Sequence, residues 1–367
     1  MSKHWPWSRR NSQDQLVVSW ADQTLVYVLA RSRADGTHEI VKCGVERQGE
    51  DSMAGFIFRL QGLGLKDYAA QVMLWAEQYQ LLQIDAPAVP PQEMRAAARY
   101  QIQGLLHAHV DDVTLDVMRV GDGQQKGVGQ IFVVAVANAV VREVMALGDA
   151  MRWKISVIDI QETAQRNLQT ALARLEGHAD RANAALVLVS GHLALLTISA
   201  NDELFYARRL ELPEGFLTAY WGSGRETLSQ AVTMPEKFSP VGEYVPDYSV
   251  GGVAYGSDYS DIRAATASPS GDNAIIDEKA QRFVAEVNRS LDAWRRSWAS
   301  MTLDGVRVHA GGRTNDLLAL LGSELAHKVQ AFDVRALFPG FEAVTGADAA
   351  LCLPLLGVLR RIESRQP

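Results

Sequence analysis

Apolar and polar positions along the chain alternate in short blocks before they change to helical spacing. Residues 16–20 and 24–29 read as two strands, with Val17, Val26, Tyr27 and Val28 giving the branched and aromatic character that strands favour. Ala21-Asp22-Gln23 between them predicts a hairpin, and a third strand is expected near residues 38–43. A helix follows over about residues 52–61, with Asp51 or Ser52 as its cap. From residue 69 to about 156 the pattern predicts a strand, helix, strand, strand, helix, strand unit. Its first strand is expected at residues 71–76, and Pro90-Pro91 pre-sets a helix start. That helix carries Met94, Ala98, Ile102, Leu105 and His109 on one face, with Arg95 and Arg99 beside it. Strands are then expected at residues 111–117 and 131–137, with Asn138 as the cap of the next helix.

A further strand at residues 155–160 leads into a helix with Ala164, Leu168, Ala171 and Leu175 on one face, stopping at Gly177. Strands at residues 185–189, 193–199 and 204–212 repeat the opening meander, which suggests two domains of similar plan. Residues 213–273 are the least regular. Within them Tyr244, Tyr248, Tyr255 and Tyr259 would either form a sticky surface or staple an excursion onto the second domain. A long helix is expected over about 277–301, a strand at 306–310, a tight turn at Gly311-Gly312, a stripe of Leu318, Leu321, Leu325 and Val329, and a last helix bearing Leu355, Leu356 and Leu359. The expected division is a tail at 1–13, a first domain at 14–68 and 157–180 interrupted by an inserted unit at 69–156, a second domain at 181–345, and a helix returning to the first domain at 346–367.

Composition narrows the function. A chain of 367 residues, 47% hydrophobic and 22% charged, can bury the cores of two packed domains. Its formal charge of -7 argues against a nucleic-acid binder, which needs a basic face. Cys43 and Cys352 are the only cysteines, so neither a disulfide framework nor a cysteine metal site is expected, and a reducing cytoplasm fits. The longest apolar run, 131–141, is interrupted by Asn138 and falls short of the roughly 18–20 residues that cross a bilayer. Trp5 and Trp7 beside Lys3, Arg9 and Arg10 would make either a weak membrane-surface contact or a frayed tail. His107 and His109, two apart on the expected helix, point to different faces and do not suit a shared metal. Gly222-Ser223-Gly224 lacks the nucleophile-elbow pattern, and Gly121, Gly123, Gly127 and Gly129 link two strands as a hairpin loop.

Several stretches together resemble one family. Residues 91–101 (PQEMRAAARYQ) through 111–116 (DDVTLD), 157–162 (VIDIQE) and 308–312 (VHAGG) are similar in order and spacing to the PilM family of type IV pilus assembly proteins. Within it they resemble the MshI proteins of mannose-sensitive haemagglutinin (MSHA)-type pili. The resemblance covers most of residues 14–362 and implies an α/β, actin-like (ASKHA) two-domain fold, with a small α+β subdomain inserted in the first domain. It also implies a cytoplasmic protein, peripheral at the inner membrane and held by the N-terminal tail of a PilN-like single-span protein. A PilO-like protein and the pilus motor platform would be indirect partners. In such relatives the tail lies in a groove between the first domain and the inserted subdomain. Arg95, Arg99 and Tyr100 are candidates for that groove or for a solvated helix face.

The resemblance also implies a nucleotide cleft, degenerate here, with Gly191, Gly311, Gly312 and Arg313 as its candidates, while Gly311-Gly312 would equally serve as a structural strand-to-helix turn. Here the chain departs from the family. The first phosphate turn is Ser19-Trp20-Ala21-Asp22, without glycine, and Val189 stands where the family has Asp. Mg²⁺-positioning carboxylates are therefore missing, and no meaningful ATP hydrolysis is expected unless Asp22 or Asp159 substitutes. Nucleotide binding without hydrolysis stays open, as do two alternatives, an active actin-like ATPase and the cytoplasmic part of a type II secretion platform protein. The latter would normally continue into a membrane span, which a chain ending at Pro367 is not expected to carry.

Overall fold

A computed structural model describes residues 14–121, 129–219, 221, 271–341 and 347–361. The tail, the tyrosine cluster, residues 222–224, and Gly123 and Gly127 lie outside them. Two five-stranded sheets share one plan. The first contains β1 (Asp14–Ala21), β2 (Thr24–Ser32), β3 (His38–Arg47), β4 (Ala69–Leu74) and β8 (Lys154–Ile160), in the order β3-β2-β1-β4-β8. The second contains β9 (Ala182–Leu188), β10 (Leu193–Ala200), β11 (Glu203–Glu211), β12 (Leu303–His309) and β13 (Val329–Ala331), in the order β11-β10-β9-β12-β13. Each is an antiparallel meander extended on one side by parallel strands.

Local chemistry sets the turns. The β1–β2 hairpin closes on Asp22 and Gln23, both left-handed (φ 47° and 56°), as the two-residue loops that match strand twist require. Asn201 and Asp202 do the same between β10 and β11. Helix α1 (Met53–Gly62) starts at Ser52, whose hydroxyl accepts from the Gly55 amide at 3.2 Å.

Both faces of the first sheet are covered, which explains the nearly unbroken apolar runs of β1 and β2. Leu16, Val18 and Trp20 pack with Phe56 and Leu60 of α1 and with Val144 and Leu147 of α3 (Asn138–Met151). Val17, Val26 and Val28 face α4 (Gln161–Leu175) and α7 (Ala347–Leu359). These two helices cross between the sheets. A Cβ on Gly357 would stand 2.0 Å from the Ala164 carbonyl oxygen, so only glycine permits the approach. The second sheet buries its outer face under α5 (Gly271–Ser297) and α6 (Thr314–Glu324), through Phe283, Val287, Trp294, Leu317 and Leu321.

A third sheet, β5-β7-β6, is made of β5 (Tyr79–Asp85), β6 (Val113–Arg119) and β7 (Gln130–Ala137). Helix α2 (Met94–Gln101) lies on one face through Ala98, and Ile102 beyond its end packs there too. From the other face Phe132 enters the second-domain core and Val136 the first-domain core.

The structure moves several expected features. β4 and α3 belong with the first sheet and its core, so the inserted sheet spans Tyr79–Ala137 rather than beginning at residue 69. The return to the first domain begins before residue 346. Phe332, Val334 and Phe338 already pack beside α4 and α7, and the Ile40 amide donates to the Pro339 carbonyl at 2.8 Å. Helix α2 ends at Gln101, so His107 and His109 are not helical, and His109 Nδ1 instead accepts from the Asp111 amide. Asn138 does not cap α3. It accepts from Thr114 Oγ1 at 2.8 Å and donates to the Asp111 carbonyl. On α4 Leu172 takes the buried position and Leu175 is exposed. Val329 opens β13 instead of extending the α6 stripe.

Candidate functional site

The parallel strands β1, β4 and β8 end on one edge of the first sheet, and β9 and β12 end on one edge of the second. Carboxyl ends of parallel strands are where open α/β sheets place ligands. Both sheets deliver their turns to the cleft between them, and His192 Nε2 stands 3.7 Å from Glu77 Oε1 across it.

On the first-sheet side Trp20, 3% exposed, turns into the core. Its ring lies 5.4 Å from that of Phe56, and its Nε1 donates to Glu143 Oε1 at 2.7 Å. Asp22 is exposed on the hairpin tip. Asp159 is buried and fully engaged: Oδ1 accepts from the Ile160 amide at 2.8 Å and from Thr163 Oγ1, and Oδ2 accepts from Arg361 Nη1 at 2.8 Å. Ser19 Oγ and Gln161 Nε2 are buried without a hydrogen-bond partner among the described residues. Both are neutral, which suits a bridging water and supplies no charge for a metal.

On the second-sheet side Gly191 sits in the β9–β10 turn with nothing near its Cβ position, and the neighbouring Val189 and Ser190 amides donate to the Leu193 carbonyl. Gly311 is left-handed (φ 53°), and its Cβ position lies 3.3 Å from Ala350 Cβ, whereas Gly312 faces open space. Thr314 Oγ1 accepts from the Ala310 amide at 3.0 Å and so fixes the start of α6. Arg313 is spent on structure. Its guanidinium lies 3.6 Å over the Trp221 ring, donates to the Leu217 and Ala219 carbonyls at 2.5 and 2.8 Å, and pairs with Asp316 at 2.9 Å. His309, just before this turn, has its pKa lowered to about 4 by burial, against the opposing charge of Asp333.

Mg²⁺ held for phosphoryl transfer needs carboxylates facing the phosphates, and the residues present do not fit that requirement. Asp159 faces Arg361 instead, and among the described residues no group of three or more His, Cys, Asp or Glu side chains could hold a metal ion.

Beside this cleft lies a cavity of about 620 Å³ where the segment after β4, the start of α4, the inserted sheet and β11 meet. Its apolar lining includes Leu81, Leu82, Ala108, Val113 and Ala137. Its floor is a triad of buried Tyr79 and Glu162 with half-buried Arg209. Glu162 accepts from Tyr79 OH and from Arg209 Nε and Nη2, both at 3.1 Å. Arg209 also donates to the Ala76 and Tyr79 carbonyls, tying the second domain to the first. Burial, then the Glu162 charge, pushes the Tyr79 phenol well above its ordinary pKa, so it stays a donor. Burial acts against the charge on Arg209, but Glu162 and Tyr79 outweigh it and raise its pKa. A second cavity of about 590 Å³ lies between β11 and α5.

Arg95, Arg99 and Tyr100 line neither cavity. Packing of α2 through Ala98 turns Arg95 outward to Asp116 (2.9 Å) and leaves Tyr100 83% exposed. Arg99 donates to the Val110 and Val113 carbonyls and secures the end of the helix. Tyr79, Glu162 and Arg209 were not singled out from sequence, although Tyr79-Gln80-Leu81-Leu82-Gln83-Ile84 carries a strand signal.

Two matching sheets joined by crossing helices decide the architecture. The fold is actin-like. A solved structure of the PilM-PilN type IV pilus biogenesis complex matches with a TM-score of 0.57 and 14% identity, over 94% of this chain and 97% of that one. The cytoplasmic domain of EpsL, an inner membrane component of the type II secretion system of Vibrio cholerae, matches with a TM-score of 0.37 and 15% identity, over 54% and 71% of the two chains. A protein with actin-like ATPase fold and unknown function from Bacteroides thetaiotaomicron matches with a TM-score of 0.35 and 7% identity, over 55% and 72%. No protein-family model and no curated relative matches the sequence. Among the described residues no helix is long and apolar enough to cross a membrane.

Proposed function

We propose that this chain is a cytoplasmic scaffold of an inner-membrane assembly platform for a type IV, MSHA-like pilus. In this reading it docks the N-terminal tail of a PilN-like single-span membrane protein in the 620 Å³ cavity. A PilO-like protein and the pilus motor join indirectly, and attachment to the membrane runs through the partner. The nucleotide cleft is degenerate, and the protein is a pseudo-ATPase.

One observation carries the proposal: Asp159 and Arg313 of the interdomain cleft are spent on the protein's own contacts, while the neighbouring cavity offers apolar walls on a fixed floor. The likeness to a PilM structure solved with PilN makes a membrane-protein tail the natural occupant. Its test is a pull-down and titration with synthetic N-terminal peptides of single-span inner-membrane proteins. Wild type binds one of them, and Ala108→Trp, which fills the cavity from an exposed position, removes binding without lowering thermal stability. Absence of binding at high micromolar peptide overturns the docking role. Mg²⁺-dependent ATP hydrolysis abolished by Asp159→Ala overturns the pseudo-ATPase role.

A further inference from the structure

The second sheet ends at β11, and among the described residues no strand pairs with its outer edge beside the two cavities. The Leu212 amide donates to the His192 carbonyl at 2.8 Å, so main-chain groups at Leu212, Leu210 and Arg208 point toward β10. Alternation then directs the amides and carbonyls of Ala207, Arg209 and Glu211 off the sheet. Among the described residues the edge is met only at Leu204, whose carbonyl accepts from the Gly121 amide at 3.1 Å. Such a row of unpaired donors and acceptors is a template for another strand.

The two cavities flank this edge on opposite faces of the sheet. The 620 Å³ cavity lies on the α4 side and reaches Ala207, Arg208 and Arg209, with Leu81, Leu82 and Val113 in its wall. The 590 Å³ cavity lies on the α5 side and runs from Arg208 to Pro213, walled by Arg282, Glu286 and Arg289. On that wall Arg208 and Arg289 share the single carboxylate of Glu286.

We infer that the docked tail binds as an added strand on β11. About five extended residues would pair with the main chain of Ala207, Arg209 and Glu211. Successive side chains would alternate between the cavities, apolar ones toward Leu81 and Val113 and acidic ones toward Arg208 and Arg289. Period-two hydrogen bonding selects an extended polypeptide, and the contrast between the walls sets its pattern. This inference rests on the docking role proposed above and specifies its geometry.

The test uses the N-terminal cytoplasmic peptide of the PilN-like protein from the same genome, titrated into the full chain. Ala207→Pro removes an edge-facing donor at a position where an edge strand tolerates proline, and it weakens binding by about tenfold or more, whereas Ala207→Ser, which keeps the amide, binds like wild type. Arg289→Glu weakens binding severalfold and reduces its salt dependence. In wild type, hydrogen exchange at the Ala207 and Arg209 amides slows in the complex. If the peptide binds, is lost with Ala108→Trp, and yet binds Ala207→Pro like wild type or leaves those amides unprotected, strand addition is overturned and docking stands. If no peptide binds wild type, both fall.

Discussion

The interdomain cleft and the cavity beside it are built from neighbouring elements but treat their polar groups in opposite ways. In the cleft Asp159 is satisfied by Ile160, Thr163 and Arg361, and Arg313 holds Leu217, Ala219 and Asp316. Beside it Tyr79, Glu162 and Arg209 satisfy one another and make a fixed floor, while the outward main chain of Ala207, Arg209 and Glu211 pairs with no strand among the described residues. A buried charge already paired is costly to separate from its partner and so is held in place, whereas an unpaired strand edge is a template for another strand. The difference lies in where polar groups are used: Asp159 and Arg313 at the strand ends of the cleft are satisfied within the chain, whereas outward main-chain groups of β11 find no partner among the described residues.

Breaking the floor gives one of the largest expected effects. Glu162→Ala leaves the buried Tyr79 hydroxyl without its acceptor and the half-buried Arg209 without its carboxylate, and costs about 3 kcal/mol, measured by denaturant unfolding. Next is Gly357→Ala at the helix crossing, where the added Cβ cannot avoid the Ala164 carbonyl. A loss of about 3 kcal/mol is expected, and a loss under 1 kcal/mol would show that the crossing yields.

Third is the pH response of the cleft. His309 keeps a folded pKa of about 4 against 6.5 unfolded, because burial disfavours its charge. The unfolded chain therefore binds more protons between those values, so stability falls as pH drops from 6.5 toward 4, by up to about 3 kcal/mol, and is flat in this term above 6.5. Replacement by Gln should flatten that slope in pH-dependent melting. The smallest effect concerns Arg361→Ala, which removes the partner of Asp159 and costs about 1.5 kcal/mol. It should not produce ATP turnover. Hydrolysis gained by this variant would mean the cleft is masked and still competent.

Much of the architecture was legible in sequence because it rests on local rules. The repeated meander, the Ser52 cap and the Gly311 turn follow from alternation, capping and left-handed backbone. Alternation also failed instructively at β5, where the Leu81-Leu82 pair, each leucine partly buried on a different face, broke the simple period. The polar helix α4 read as one apolar stripe, yet Gln165, Asn167 and Gln169 are buried against both domains, since their amides bond carbonyls of β9, β10 and α7. The Asp159–Arg361 pair joins residues 202 positions apart, and no local pattern announces such a contact. The same holds for Glu162 with Arg209, set by how the second sheet lands on the first. For Arg95 and Tyr100 the family resemblance offered a groove and the helix pattern a solvated face, and only the packing of α2 through Ala98 shows that Tyr100 lies exposed and Arg95 pairs with Asp116.

The most direct test is a calorimetric titration of the full chain with the N-terminal cytoplasmic peptide of the proposed PilN-like partner, run in parallel on Ala108→Trp. Micromolar binding by wild type and loss of that binding by the variant at unchanged melting temperature is the expected result. No binding by wild type, or equal binding by both proteins, would contradict the assignment of this cavity as the docking site.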